Sequence, residues 1–396
     1  KTANSMAEDV LAMREFRFAP PERGECDVLV IAGEHSGDEQ SARMLKNALE
    51  KKPDLRVCAF GGVCLERAGA QLLFDMTAFS VVGLAEVLKN YSFFKKLSEA
   101  VVDWICIYKP RAVCFVDYPG FNMLIASMLK KRGISAKGGG NVKTLYYISP
   151  QIWAWKSKRR FKMADTLDAL AVIFPFEVEC YADTSLRVDF VGHPFLEKSY
   201  VPPVRYDPCG EILLLAGSRG IAVSRIFPVM LGALRLLPGM RAVAVYPTSA
   251  IKQRLESALE KNPDVAGRVR LVCNESGVLG VKAVMMSSGT MSLACSLEGI
   301  PGAIVYKANP ITYIVGRSLV KIKYLSIANI LLDKPAWREF IQFDASARKL
   351  AKYMQRCACD PSERGRFLSY AEKLRSLLHS PKDMGAADWL IKRLEG

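Results

Sequence analysis

Two doubly wound α/β domains followed by a helical tail are the fold class that the sequence predicts. Three observations predict it. Short apolar runs, each closed by Gly, Pro, Ser or Asp, alternate with longer stretches of helical period. The alternation stops at Pro202, Pro203 and Pro208 and then starts again. Beyond Lys334 the chain reads as almost wholly helical. The length of 396 residues agrees, since about 150 residues per domain gives two to three domains.

In chain order, residues 28–32 form a compact apolar run that ends at Gly33, followed by a helical segment over 39–49. Runs at 57–60, 112–116, 144–148, 169–174 and 188–191 follow, ending at Gly61-Gly62, Asp117, Ser149-Pro150, Pro175 and Gly192. Runs that are apolar on both faces and alternate with helices imply a parallel sheet covered on both sides. The second series lies at 212–216, 242–246, 269–273, 283–287 and 302–306, and tail helices are expected over 346–354, 362–378 and 383–394. The expected organisation is an extension over 1–25, a first domain over 26–200, a linker over 201–210, a second domain over 211–342 and a tail over 343–396. The tail is expected to return to the first domain. Residues 1–25 carry Glu8, Asp9, Glu15, Glu22 and Glu25 and no apolar core, so they read as a loose or partly helical extension rather than a signal peptide.

With half its residues hydrophobic and 24% charged, the chain is a folded protein and not a disordered one. The 55 Lys and Arg against 40 Asp and Glu leave +15, which favours anionic partners without choosing among nucleic acid, acidic lipid and phosphorylated substrates. The longest uncharged stretch, 283–297, is too short for a bilayer span of about 20 residues and is broken by Ser287, Ser288 and Gly289. Eleven scattered cysteines, with Cys357 and Cys359 the one close pair, suit cytosolic thiols better than a metal knuckle or disulfide framework. The three histidines have no metal-site spacing, and no cofactor or metal is expected.

In open parallel sheets, ligands sit beyond the carboxyl ends of the strands, so the residues there are the candidates. Gly33-Glu34-His35-Ser36-Gly37-Asp38 opens a helix whose N–H groups suit an anion or a sugar hydroxyl, with a plain turn capped by Ser36 or Asp38 as the alternative. Asp117 ends an apolar run, and partial burial there raises a carboxyl toward a useful general base; the alternative is a helix cap, which Pro119-Gly120 disfavours. Gly217-Ser218-Arg219 and Ser288-Gly289-Thr290 are two anion-receptive strand-to-helix turns in one domain, a pairing that suits a diphosphate. His193, in Gly192-His193-Pro194, follows a strand and is placed to line the cleft expected between the domains. The stripe Leu84, Val87, Leu88, Tyr91, Phe94, Leu97 and Val101, with Phe93 and Trp104 off it, has more apolar surface than one core face needs; a core helix is the default reading, and a surface that dips into a lipid interface or holds acyl chains is the alternative. Trp153 and Trp155 stand beside Lys156, Lys158, Arg159, Arg160 and Lys162, a run that meets headgroups, phosphate or nucleic acid, or is a solvated helix face.

Together with Val116-Asp117-Tyr118-Pro119-Gly120-Phe121-Asn122, Ser149-Pro150-Gln151-Ile152-Trp153-Ala154-Trp155, Phe190-Val191-Gly192-His193-Pro194 and Asn329, these motifs resemble the lipid-A-disaccharide synthase family. The resemblance runs from about Asp27 to Gln342, and the Ser-Pro-x-x-Trp-Ala-Trp run is its most specific part. It implies a metal-independent, inverting glycosyltransferase of the GT-B fold, cytoplasmic and peripheral to an anionic inner membrane. It also implies the substrates UDP-2,3-diacylglucosamine and 2,3-diacylglucosamine 1-phosphate (lipid X), and leaves a homodimer open. In the implied mechanism Asp117 is the base and Arg219, with Gly217, Ser218, Ser288, Gly289 and Thr290, holds the diphosphate. Ser36, Gly37, Asp38 and His193 would orient sugar, and Asn329 would touch the nucleotide or the cleft hinge. The sequence departs from the family pattern at Ala294, where a ribose-binding Glu is expected and Glu298 is the nearest substitute, and at Ala216 and Ala222. The alternatives are a UDP-N-acetylhexosamine 2-epimerase-like enzyme and a basic nucleic-acid-binding protein using 156–162; the motif set favours neither, and no nucleic-acid partner is expected.

Overall fold

The computed structural model describes residues 16–77, 91–274, 277–309, 313, 322–382 and 384–395. The chain divides into two compact units, Lys1–Ser199 with Leu378–Gly396, and Tyr200–Leu377.

Unit one runs β1 (Val28–Ala32), α1 (His35–Lys51), β2 (Val57–Gly61), α2 (Val63–Arg67), β3 (Gln71–Asp75), α3 (Tyr91–Tyr108), β4 (Ala112–Val116), α4 (Pro119–Lys131), β5 (Lys143–Tyr147), α5 (Arg159–Thr166), β6 (Ala169–Val172) and β7 (Arg187–Phe190). Its sheet has the order β3-β2-β1-β4-β5-β6-β7, and each neighbouring pair is parallel. β1, β2, β4 and β6 are buried at every position, as a doubly covered sheet requires. The edge strand β3 is half-buried throughout, and that weaker pattern hid it from the sequence reading.

The stretch expected to be a loose extension is, from Phe16 on, part of the core. Phe18 meets Phe60 edge-on with ring centres 4.7 Å apart, Phe16 meets Phe93 at 5.2 Å, and the Trp104 indole donates to the Ala19 carbonyl at 2.9 Å. Phe93 and Trp104, expected to be surplus apolar surface, are therefore covered by this segment, and Trp104 is buried. Leu84, Val87 and Leu88 of the same stripe lie outside the described residues.

Unit two runs β8 (Val204–Leu215), α6 (Gly220–Arg235), β9 (Ala242–Tyr246), α7 (Ser249–Glu260), α8 (Pro263–Ala266), β10 (Val269–Cys273), β11 (Leu279–Met286), α9 (Thr290–Leu297), β12 (Gly302–Tyr306), α10 (Ile327–Leu332), β13 (Arg338–Ile341), α11 (Ala347–Cys359) and α12 (Pro361–Leu378). The order is β10-β9-β8-β11-β12-β13, again parallel. The expected linker over 201–210 falls largely within β8. Val204 and Arg205 pair with Leu279 and Gly280, and pairing resumes at Glu211 after an irregularity. Pro208, which has no N–H to give a ladder, lies in that break. β13 corrects the all-helical reading after Lys334. It is an edge strand carrying Arg338 and Glu339, so it lacks the apolar run that marks a central strand.

The tail divides. α11 packs on α6 in unit two, whereas α13 (Ala386–Glu395) packs on α1 in unit one. There Trp389 is buried, and its indole and Arg393 both donate to the Asp189 carboxylate, at 3.1 and 2.7 Å. Among the described residues no helix is long and apolar enough to cross a membrane.

Candidate active site

The chain leaves β1 toward β2 and leaves β4 toward β5, so the carboxyl ends of β1 and β4 form the switch point of unit one. Gly33-Glu34 follows β1 and Asp117-Tyr118 follows β4, and the fold brings the two turns into contact. A Cβ on Gly33 would stand 2.2 Å from Tyr118 Cδ1, so only glycine lets the Tyr118 ring lie there.

Asp117 and Tyr118 both have φ of 44°, the left-handed region that costs about 1–3 kcal/mol for a side chain of this kind. The surroundings fix the turn. Asp117 N donates to the Tyr147 carbonyl at 3.2 Å, and the Asp117 carbonyl accepts from Asn122 Nδ2 at 2.7 Å and from the Tyr146 hydroxyl. Asn122, fully buried, also donates to the Val116 carbonyl at 3.2 Å. Pro119 then starts α4, where its missing N–H costs nothing. The backbone is thus held in a strained turn whose product is the orientation of one carboxylate.

That carboxylate is basic for an aspartate. Burial, followed by the negative charge of Glu34, pushes Asp117 up to about 6. At neutral pH it is ionised yet able to take a proton, as a general base requires. Sequence reasoning passed over Glu34, since nothing in the string shows that it faces Asp117 from the neighbouring strand end.

Of the first-loop residues, Ser36 is exposed at the opening turn of α1, and Gly37 is buried against Val116. Asp38 has another task than orienting sugar. It is buried, and its carboxylate accepts from the backbone N–H of Gly62 at 2.8 Å, Cys64 at 3.0 Å and Leu65 at 3.3 Å. It caps the start of α2. His193, expected to line the cleft, is also engaged within the fold. It is buried beside Phe174 and Phe195, its Nδ1 accepts from Phe195 N at 3.1 Å, and burial pushes it down to about 3. Its N–H donates to the Leu378 carbonyl at 2.9 Å, and Gly192, at φ 80°, lies where a Cβ would meet Ser380 N at 2.6 Å. The Gly192-His193-Pro194 motif seats the returning tail.

In unit two the switch point lies between β8 and β11. The turns that follow these strands touch. Gly217, at φ 108°, leaves room for Ser287 Oγ, which would be 3.2 Å from a Cβ there, and Ser287 N donates to the Leu215 carbonyl at 2.7 Å. α6 and α9 therefore start side by side, so two sets of free N–H groups and two positive helix ends converge. Arg219 is the residue before α6; the first turn has no acidic residue and no side-chain cap. The structure adds Arg254 from α7, a residue no spacing could flag. Its guanidinium lies against Gly220, where a Cβ would be 2.5 Å from Nε. Ser218 and Arg219 are exposed; Ser288 Oγ donates to the Leu325 carbonyl at 2.8 Å and keeps its lone pairs; Gly289 and Thr290 open α9.

Two further expectations change here. Asn329 is buried and ties α10 to β13: its amide donates to the Trp337 carbonyl at 2.7 Å and Glu339 at 2.9 Å, and its oxygen accepts from Trp337 N at 3.0 Å. Glu298 is the residue after α9, about 12 Å along the helix from its first residue, and it pairs with Arg375 at 3.5 Å. It thus stands at the opposite end of α9 from the turn it was expected to complete.

Comparison with known proteins agrees with this arrangement. A glycosyltransferase of kitacinnamycin matches the structure with a TM-score of 0.59 over 93% of this chain and 99% of that one, at 13% identity. The UDP-GlcNAc 2-epimerase of Neisseria meningitidis matches with 0.55 over 93% and 99%, at 11% identity. These likenesses show the fold, which is of the GT-B type. In sequence, lipid-A-disaccharide synthase 1 of Legionella pneumophila is 32% identical over 93% of this chain and 97% of its own length. The lipid-A-disaccharide synthase of Geobacter metallireducens is 33% identical over 84% and 88%. The sequence model of the family described as lipid-A-disaccharide synthetase matches residues 28–363, and the chain belongs to this family of glycosyltransferases.

Proposed function

We propose that the chain condenses UDP-2,3-diacylglucosamine with 2,3-diacylglucosamine 1-phosphate, inverting the donor's anomeric carbon and releasing UDP. The acceptor's 6-hydroxyl oxygen attacks that carbon while Asp117 takes its proton, and the bond to UDP breaks with its electron pair leaving on the diphosphate. Arg219, Arg254 and the N–H groups that open α6 and α9 stabilise the departing charge. The observation that carries this reading is Asp117, a carboxylate raised to about 6 in a strained turn at a switch point, in a chain of this family.

Fold likeness to an epimerase does not favour that activity, because one fold hosts both chemistries. We further propose that the chain acts at an anionic membrane surface, where its lipid substrates reside. Trp155 and Phe161, about half exposed, stand beside Lys156, Lys158 and Arg159. Incubation of the purified chain with labelled lipid X and the UDP-diacyl donor is expected to yield a tetraacyl disaccharide 1-phosphate of β-1,6 linkage and stoichiometric UDP. Release of UDP without disaccharide, or turnover of UDP-GlcNAc alone, refutes the reading.

A further inference from the structure

One buried carboxyl of unit one has no part in the scheme above. Glu177 is 1% exposed in the short turn Pro175–Glu177 that follows β6. β4, β5 and β6 run in register, with Val116 beside Tyr147 and Tyr147 beside Ala171. The turn after β6 therefore lies two strand spacings, about 10 Å, from the Asp117 turn on the same edge of the sheet. Glu177 Oε2 accepts from Phe174 N at 3.2 Å. Around it, Phe174 and Phe176 stack with ring centres 5.7 Å apart, and Trp153 meets Phe176 edge-on at 5.4 Å.

The charged and titratable groups around this carboxyl are unfavourable to its ionisation. The Asp117 charge opposes ionisation of Glu177, and Glu177 acts in turn on Cys180 and Tyr181. Arg160, nearby, is held by Asp183 at 2.7 and 2.6 Å. The N–H groups of Phe174, Ile173 and the buried Trp153 indole favour the charged carboxylate, and burial outweighs them. A carboxyl buried this far without an ion pair stays neutral rather than bear the cost of desolvating a charge. Burial pushes it up to about 8, with the Asp117 charge adding to the effect.

We propose that Glu177 is a positioning residue that works in its neutral form. As an uncharged acid it holds the Phe174–Glu177 turn through the Phe174 N–H, and with it Phe176, on which Trp153 packs. Once ionised it places a second negative charge near Asp117, disfavouring an acceptor that itself carries a phosphate. Asp117 loses its proton first and Glu177 second, so between the two ionisations one carboxyl is a base and the other is uncharged. The inference rests on the proposed function for its catalytic consequence, but not for the ionisation itself.

Two measurements on the full chain test it. Turnover of lipid X with the UDP-diacyl donor is followed from about pH 5.5 to about 9.5 for the native chain, Glu177→Gln and Glu177→Ala. The native chain is expected to lose turnover above about pH 8. Glu177→Gln, which mimics the neutral acid, is expected to keep turnover at pH 7 within about threefold and to lose the alkaline fall. Glu177→Ala is expected to lose turnover at every pH. An alkaline fall that persists in Glu177→Gln, or a Gln variant that melts like the native chain but is as inactive as the Ala variant, overturns the proposal. Melting temperature against pH needs no substrate. Relative to Glu177→Gln, the native chain is expected to lose stability as pH rises from the ordinary value of 4.5 to about 8, and no further above it. Identical pH dependence of melting in the two refutes the neutral form even if the lipid substrates prove wrong. Failure of turnover alone, with the melting difference present, counts against the proposed function instead.

Discussion

Replacing Asp117 with Asn is expected to remove turnover and at the same time make the protein more stable at neutral pH. The ordinary aspartate value is 3.8, and the fold raises this carboxyl to about 6. The folded state thus holds the proton more tightly than the unfolded chain does. The stability contributed by the group is fully present below 3.8 and is lost as pH rises through about 6. Across that interval the loss amounts to at most about 3 kcal/mol, an upper bound because the side chain is only partly buried. Asparagine is uncharged, nearly the same size and tolerant of the left-handed backbone, so it removes this cost without disturbing the turn. Thermal denaturation at pH 7.5 is expected to show Asp117→Asn melting higher, at about 2–4 °C per kcal/mol for a domain of this size. The difference should vanish near pH 4. Turnover at pH 7.5 should fall by about 10² to 10⁴, the range for loss of a general base. A variant that is less stable at neutral pH, or one with undiminished turnover, refutes the reasoning that makes this carboxylate a strained and functional base.

Three further outcomes are expected. Arg254→Ala and Arg219→Ala should each weaken UDP binding by roughly 10- to 100-fold in calorimetric titration, the worth of a charge-assisted hydrogen bond; unchanged binding in Arg254→Ala removes that guanidinium from the cradle. Asp38→Ala leaves the N–H groups of Gly62, Cys64 and Leu65 without their acceptor, so urea denaturation should show a loss of about 2 kcal/mol or more. Substrate KM should stay within about twofold, whereas a selective rise in KM would return Asp38 to the substrate. Gly192→Ala combines a φ of 80° with a Cβ 2.6 Å from Ser380 N, so amide exchange in α13 should quicken by about tenfold or more; unchanged protection there means that the tail is held without this contact.

The central strands were legible because each contains an apolar run, whereas the two switch points depend on strand order and came only with the structure. Of the four edge strands, β7 and β10 were legible in the same way, whereas β3, with Gln71 and Asp75 at its ends, and β13, which opens on Arg338-Glu339, were not. Among the candidate residues, Asp117, Gly217 and Arg219 stand just after β4 and β8, where they were read. For Asp38, His193, Asn329 and Glu298 the structure shows partners within the fold that the string does not. Asp38 caps one helix, His193 seats the tail, Asn329 ties a helix to a strand, and Glu298 closes the far end of α9. Which partner satisfies a buried polar group is a tertiary fact, and spacing does not contain it. For the same reason Glu34, Arg254 and Glu177 were missed: each acts on a residue brought close by a neighbouring strand or helix.

One topology is put to opposite electrostatic uses. A parallel sheet with helices on both faces leaves a switch point where two strand ends adjoin, and what is built there depends on the residues that follow the strands. In unit one the fold surrounds Asp117 with apolar groups and with the acidic Glu34, and no cation is among the causes acting on it, so its affinity for a proton rises. In unit two the same junction joins two helix starts, and Arg219 and Arg254 add positive charge to ends that are already positive. Neither arrangement favours stability: a carboxylate is kept basic by burial, and guanidinium groups crowd a helix N-terminus that an acidic residue would suit better. The repeated topology thus carries local destabilisation of opposite sign at two equivalent points, and the mechanism proposed above gives each a use: the first takes a proton and the second faces growing negative charge.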